Sequence, residues 1–215
     1  MIILGLTGSI GMGKTTAAAA FRSLGVPVYD ANQNTHKLME PGGEAVTAVL
    51  AAFPDVEKGG VIDRQILGGL VFKDDLKLKQ LEKILHPLVG KKKEAFLTAA
   101  AQRGEKLVVL DIPLLLETGG EKQCDGVIVV SAPAAVQKKR VMARPGMTMA
   151  RFQSILEKQM PDQEKRKKAD FVVQTGQGKS HSLREIDNIV RVTKSWRPGH
   201  WPPLDKRDRP ENSHA

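Results

Sequence analysis

Residues 8–15 read Gly8-Ser9-Ile10-Gly11-Met12-Gly13-Lys14-Thr15, a complete G-x-x-x-x-G-K-[ST] phosphate-binding loop. It follows the apolar run Ile2-Ile3-Leu4-Gly5-Leu6 and leads straight into residues 15–24, an alanine-rich stretch that favours helix. That setting commits the segment to one geometry: a buried strand, a tight glycine turn, and a helix whose N-terminus faces an anion. Glycine lets the backbone curl with its N–H groups inward. Lys14 suits the β- and γ-phosphates, the Thr15 hydroxyl suits Mg²⁺, and Thr16, next in the helix start, is taken with residues 8–15 as nucleotide-binding. The expected ligand is a nucleoside triphosphate.

The other apolar runs are short and β-branched, at residues 26–29, 107–110, 127–130 and 171–173. They alternate with stretches of helical spacing, which predicts a parallel sheet covered on both faces. Residues 26–30 read as the second strand, entered through Gly25, which closes the first helix. Residues 31–103 are mostly helical and are broken once at Pro41-Gly42-Gly43. Asp63 is a good cap for a helix over 64–72. Residues 77–101 carry Leu78, Leu81, Leu85, Leu88 and Val89 on one apolar stripe, expected to be bent or interrupted at His86-Pro87. The stripe reads as core. The whole insertion exceeds a simple crossover helix and reads as an acceptor-substrate domain.

The expected fold is therefore α/β, a parallel sheet of the P-loop NTPase type with helices on both faces. Residues 1–30 and 104–195 form its core, 31–103 a helical acceptor-binding insertion, and about 138–168 a small lid. Residues 196–215, with four prolines and mixed charge, read as an extended or disordered tail.

The net charge of +9 is concentrated: residues 138–168 hold ten Lys and Arg against Glu157, Asp162 and Glu164. Such a cluster suits a polyphosphate or a nucleic acid. Only Phe152 and Phe171 offer stacking surfaces nearby, which disfavours nucleic acid. Most of these lysines read as a solvated helix face. No apolar run reaches the ~18 residues of a membrane span, and the N-terminus lacks the basic region and cleavage site of a signal peptide. Cys124 stands alone, reads as a small buried residue, and fits a reducing, cytoplasmic setting without membrane attachment. Asp111 ends the third strand, where a carboxylate would hold Mg²⁺; it equally suits a turn or helix cap. There is no N-K-x-D guanine motif. A small core with one insertion and one basic segment points to a small-molecule kinase, whose lid arginines neutralise the transferring phosphoryl group.

A series of further motifs resembles one family. Leu6-Thr7-Gly8-Ser9-Ile10-Gly11-Met12-Gly13-Lys14-Thr15 is followed in order by Val28-Tyr29-Asp30-Ala31-Asn32, Glu40-Pro41-Gly42, Asp63-Arg64-Gln65-Ile66-Leu67 and His86-Pro87-Leu88-Val89. Then come Pro113-Leu114-Leu115-Leu116-Glu117, Ile155-Leu156-Glu157-Lys158-Gln159 and Ala169-Asp170-Phe171-Val172-Val173. This ordered set, covering residues 2 to about 176, resembles the bacterial dephospho-CoA kinases. The resemblance implies transfer of the ATP γ-phosphoryl group to the ribose 3′-hydroxyl of dephospho-CoA, the last step of coenzyme A synthesis. It also implies that Arg140 and Arg144 lie in or near the lid and contact ATP. His86 and Pro87 would help receive dephospho-CoA. For His86 a buried structural role beside a helix bend is the better reading. Glu117 is a candidate for holding lid or acceptor groups.

One residue departs from the family pattern D-A-D: Asn32 stands where the second aspartate is expected to take the hydroxyl proton. An amide orients a hydroxyl but does not accept its proton at neutral pH. If the chain stays extended past Tyr29, residues 30 and 32 project to one side. Asp30 then supplies the carboxylate and Asn32 positions the ribose. Two other readings stay open, a catalytically impaired ATP-binding regulator and a kinase for another small molecule or a nucleoside monophosphate. Gln174-Thr175-Gly176 is a second departure, at a place expected to lie near the adenine.

Overall fold

A computed structural model describes residues 1–201. In chain order its elements are β1 (Ile2–Thr7), α1 (Lys14–Ser23), β2 (Val28–Asp30), α2 (Ala31–Leu38), α3 (Val46–Ala52), β3 (Glu57–Lys58), β4 (Val61–Ile62), α4 (Arg64–Lys73) and α5 (Asp75–Gln102). There follow β5 (Leu107–Asp111), β6 (Gly126–Ser131), α6 (Ala134–Met142), α7 (Met149–Glu157), α8 (Asp162–Lys167), β7 (Phe171–Gln174) and α9 (Lys179–Thr193). The chain divides into two compact units, residues 30–99 and the remainder.

The larger unit is built on a five-stranded sheet in the order β2-β5-β1-β6-β7. β1 lies at its centre, parallel to both β5 and β6, and β6 is parallel to β7. Every residue of β1 and β6 is buried, as strands covered on both faces must be. The core joins Leu4, Leu6, Ile128 and Val130 of the sheet to Ala17, Ala18 and Phe21 of α1 and to Ile186 and Ile189 of α9. Register sets Leu6 beside Asp111, so the phosphate loop leaves β1 next to the last residue of β5.

Local chemistry fixes the first helix. Alanines at Ala17 and Ala18 give it close packing, and Phe21 one turn on is fully buried. It ends at Gly25, whose φ of 77° is left-handed. There Gly25 N–H donates to Arg22 O and Val26 N–H to Phe21 O, the double bond pattern of a Schellman cap.

The chain end does not match the expected tail. Trp196 stacks on Phe171 with ring centroids 5.5 Å apart and packs against the core. Asp125 then binds both ends of the described chain: it accepts from Ile3 N–H at 2.7 Å, from Gly199 N–H at 2.7 Å, and meets His200 Nδ1 at 3.0 Å. The boundary drawn at 196 therefore came too early, because the apolar contact of Trp196 is tertiary and has no period to read. Residues 202–215 of the expected tail lie outside the described residues.

The smaller unit has its own core of Leu38, Val49, Phe53, Val56, Ile62, Leu67, Leu81 and Leu85. Asp63 caps α4 by accepting from the N–H groups of Gln65 and Ile66. Glu44 pairs with Lys92, whose hydrogen bond and charge hold its carboxyl below the ordinary value. Two differences from expectation stand out. β3 and β4 form a small antiparallel hairpin across Gly59-Gly60, a turn signal the helical reading passed over. And α5 is not interrupted at His86-Pro87: it runs through 28 residues with Pro87 inside. Pro87 removes one backbone donor, and the flanking turns with buried Leu81 and Leu85 hold the helix across that gap. No helix among the described residues is long and apolar enough to cross a membrane.

Candidate active site

The phosphate loop is held in place from outside, one carbonyl after another. Gln137 Nε2 donates to Ile10 O at 2.8 Å, and Arg140 Nη1 reaches Gly11 O at 3.4 Å. The Thr175 hydroxyl donates to Met12 O at 2.5 Å. In a trans peptide the carbonyl and the following N–H point oppositely, so holding these oxygens outward turns the next N–H groups to the other side. Among the described residues no acceptor takes the N–H groups of Gly11, Gly13, Lys14 or Thr15. They form the cradle, at the N-terminal end of α1. Glycine is required by contact as well as by angle. Gly13 has φ 95°, and a Cβ there would lie 2.9 Å from Thr175 Oγ1.

Lys14 leaves α1 and pairs with Asp111, Nζ to Oδ1 at 2.5 Å. Asp111 is 2% exposed, so its charge is compensated where it is buried. The Thr15 side chain is exposed beside this pair in sequence. A threonine hydroxyl and one strand-end carboxylate suit Mg²⁺, which is held mostly by phosphate oxygens and water. Among the described residues there is no cluster of three or more His, Cys, Asp or Glu of the kind that would hold a metal by protein ligands alone.

The segment expected as a lid is helical, made of the end of α6, then α7 and α8. Arg140 is not a free lid arginine here. It sits on α6, and its guanidinium is also bound to Thr175, by Nη1 to Oγ1 at 2.9 Å and by Nη2 to the carbonyl at 2.7 Å. Arg144 lies just past α6 and is exposed. Thr175, which looked like a departure near the base, is 7% exposed and serves as the bolt between Arg140 and the loop.

Lys165 is the exception in the basic run, whose other lysines are exposed as expected. It is fully buried on α8 and pairs with Glu117, Nζ to Oε1 at 2.7 Å. Glu117 Oε1 also accepts from Met160 N–H at 2.9 Å. A lysine within Lys165-Arg166-Lys167-Lys168 gives no local sign of burial; its partner lies far away in sequence. Gln159, named above only as part of a motif, accepts from Ile10 N–H at 3.0 Å. Gln137 went unread as well. Its 6% exposure comes from tertiary contact, and only its place on the face of α6 toward buried Val141 hinted at it.

In the smaller unit the premise of an extended chain past Tyr29 fails. β2 ends at Asp30 and α2 starts at Ala31. Asp30 is the N-cap, with Oδ1 accepting from Gln33 N–H at 2.8 Å. Asn32 lies in the first helical turn and is exposed, so the two residues do not share a strand face. His86 and Pro87 are both exposed on α5, and the expectation of a buried structural histidine is overturned.

Comparison with known proteins agrees with the loop and the sheet. The family model for dephospho-CoA kinase matches residues 2–180. A dephospho-CoA kinase of Mesorhizobium japonicum is 52% identical over 190 residues, covering 88% of this chain and 95% of the relative. One from Paramagnetospirillum magneticum is 54% identical over 198 residues, covering 92% and 93%. A crystal structure from Thermus thermophilus superposes with a TM-score of 0.78 at 36% identity, covering 89% of this chain and 96% of that one. The dephospho-CoA kinase of Campylobacter jejuni gives 0.66 at 26% identity, over 89% and 96%. With its phosphate loop, its parallel sheet and a family match over most of its length, this chain belongs to the dephospho-CoA kinases.

Proposed function

We propose that this protein transfers the γ-phosphoryl group of ATP to the ribose 3′-hydroxyl of dephospho-CoA, the last step of coenzyme A synthesis. The observation that carries the chemistry is the Lys14–Asp111 pair beside a loop whose inward N–H groups have no acceptor among the described residues. The loop N–H groups bind the phosphates, and the Lys14 ammonium offsets charge on the transferring group. Thr15 and Asp111 would hold Mg²⁺, which would supply positive charge to offset that of the phosphates. The remaining work is positioning, because phosphoryl transfer passes through a loose transition state.

On the acceptor side Asp30 takes the hydroxyl proton. Its Oδ1 is engaged as a helix cap, and Oδ2 meets no protein donor among the described residues. Asn32, exposed and amide-bearing, orients the ribose, and His86 and Pro87 contribute to receiving dephospho-CoA, while Glu117 orders groups of the basic segment through Lys165 and Met160 N–H. Arg140 and Arg144 belong to the ATP side. The single buried cysteine, Cys124, fits a reducing, cytoplasmic setting. Incubation with Mg-ATP and dephospho-CoA, followed by mass analysis, tests the reading. A gain of one phosphoryl group as coenzyme A is expected. Absence of product after long incubation at high enzyme concentration overturns it.

A further inference from the structure

The four side chains around the phosphate loop do not all act alike. Gln137, Arg140 and Thr175 hold carbonyl oxygens, whereas Gln159 takes an N–H group. Ile10 is the residue where the two kinds meet. Its carbonyl is held by Gln137 from α6, and its N–H by Gln159 from the turn between α7 and α8. Fixing both the N–H and the carbonyl of one residue fixes the peptide planes on either side of it. The first inward donor, Gly11 N–H, follows directly from the second of those planes.

Gln159 is itself held. The next residue, Met160, donates its N–H to Glu117 Oε1, and the same oxygen pairs with fully buried Lys165. A buried ammonium and a mostly buried carboxylate hold each other firmly, since separating them strands a charge. The chain before and after Gln159 is thus anchored, at Phe152 in the core of α7 and at Lys165 on α8.

We propose that Gln159 is a positioning residue of the donor site: its amide oxygen sets the Ile10 peptide, and the Glu117–Lys165 pair keeps that oxygen in place. The proposal rests on the reading of residues 8–15 as the ATP site. It makes Glu117 a support of the donor site rather than a binder of the acceptor.

Two variants of equal length test it. Gln159→Met removes the acceptor, and Gln159→Glu keeps an acceptor for Ile10 N–H. In nucleotide-free protein, exchange of the Ile10 amide hydrogen, read by NMR, is expected to be slow in the wild type and in Q159E and faster in Q159M. In Q159M the KM for ATP and the Kd for Mg-ADP are expected to rise about tenfold, the size of one neutral hydrogen bond. The KM for dephospho-CoA stays unchanged, and the melting temperature falls by no more than the few degrees that one hydrogen bond contributes. Unaltered Ile10 exchange in Q159M overturns the proposal. So does a joint change in both KM values with a larger fall in melting temperature, the mark of a merely structural role. Amide exchange and Mg-ADP binding need no turnover, so they separate failure of this proposal from failure of the kinase reading.

Discussion

The phosphate loop and the start of α2 carry the two halves of the proposed reaction, and they are built in opposite ways. Around the loop, three successive carbonyls and one N–H are bound by side chains from α6, from the turn after α7 and from Thr175. At the start of α2, Asp30 makes one capping bond, and Asn32 is exposed. The loop must bind a polyanion with backbone dipoles, which work only when their orientation is fixed beforehand. The acceptor residues need only a side chain that reaches a hydroxyl, and a helix cap is enough support for that. Substitutions at the loop should therefore fail by losing chemistry, and those around α2 by losing smaller, separable contributions.

The largest effect is expected at Lys14. Lys14→Met removes the cation at the transferring group together with its ion pair to Asp111, and kcat should fall by about 10³-fold, as for other preorganised charge stabilisers. Single-turnover kinetics at saturating ATP checks this; a loss under tenfold would place the decisive charge elsewhere. Asp30 comes next. Asp30→Ala should lower kcat by about 10²-fold or more and also cost about 1 kcal/mol of stability through the lost cap. Asp30→Ser separates the two, because serine caps the helix without accepting the proton at neutral pH. Stability should return in the melting curve while kcat stays low. Recovery of kcat in the serine variant would remove Asp30 as the base.

Lys165→Met is expected to act on folding first. It leaves Glu117 mostly buried and unpaired, at a cost of about 3 kcal/mol. The double variant Lys165→Met with Glu117→Leu should regain most of that loss in denaturant titration, because the stranded charge is gone. If the single and double variants melted alike, the pair would not be what holds α8. The smallest effect is expected from Asn32→Asp. With Asp30 as the base, a second carboxylate in the exposed first turn of α2 should change kcat by no more than about threefold, well short of a general-base effect. A rise of two orders of magnitude in steady-state kcat would move the base to position 32.

What the sequence disclosed follows the range of the forces involved. The loop was legible whole, since its glycines, Lys14 and Thr15 are local requirements of one shape. The central strands were legible because burial on both faces leaves uninterrupted β-branched runs, as in residues 127–130. The end of β2 at Asp30 was legible, but the extended path assumed beyond it fails for an equally local reason: Asp30 serves as the last strand residue and as a helix cap, and the second role turns the chain into α2. Lys165, Gln159 and Thr175 were opaque for another cause. Each owes its role to a partner between 48 and 163 residues away, as |i−j| shows for Lys165 with Glu117 and for Thr175 with Met12. Nothing in Lys165-Arg166-Lys167-Lys168 distinguishes the one buried lysine from its three exposed neighbours.

Asp125 has a consequence for the order of the chain itself. One carboxylate binds Ile3 N–H and Gly199 N–H together, so the first strand and the stretch after α9 meet within the width of a single side chain. With the residues after 201 removed, a short linker would have only that width to span. The chain could then be cut open at Gly104, a surface turn with φ 75° and open space around it, to give a circular permutant. In such a permutant the phosphate loop would sit in mid-chain, and its β-strand would be entered from the former C-terminal side. The fold would keep its contacts while losing its habitual beginning.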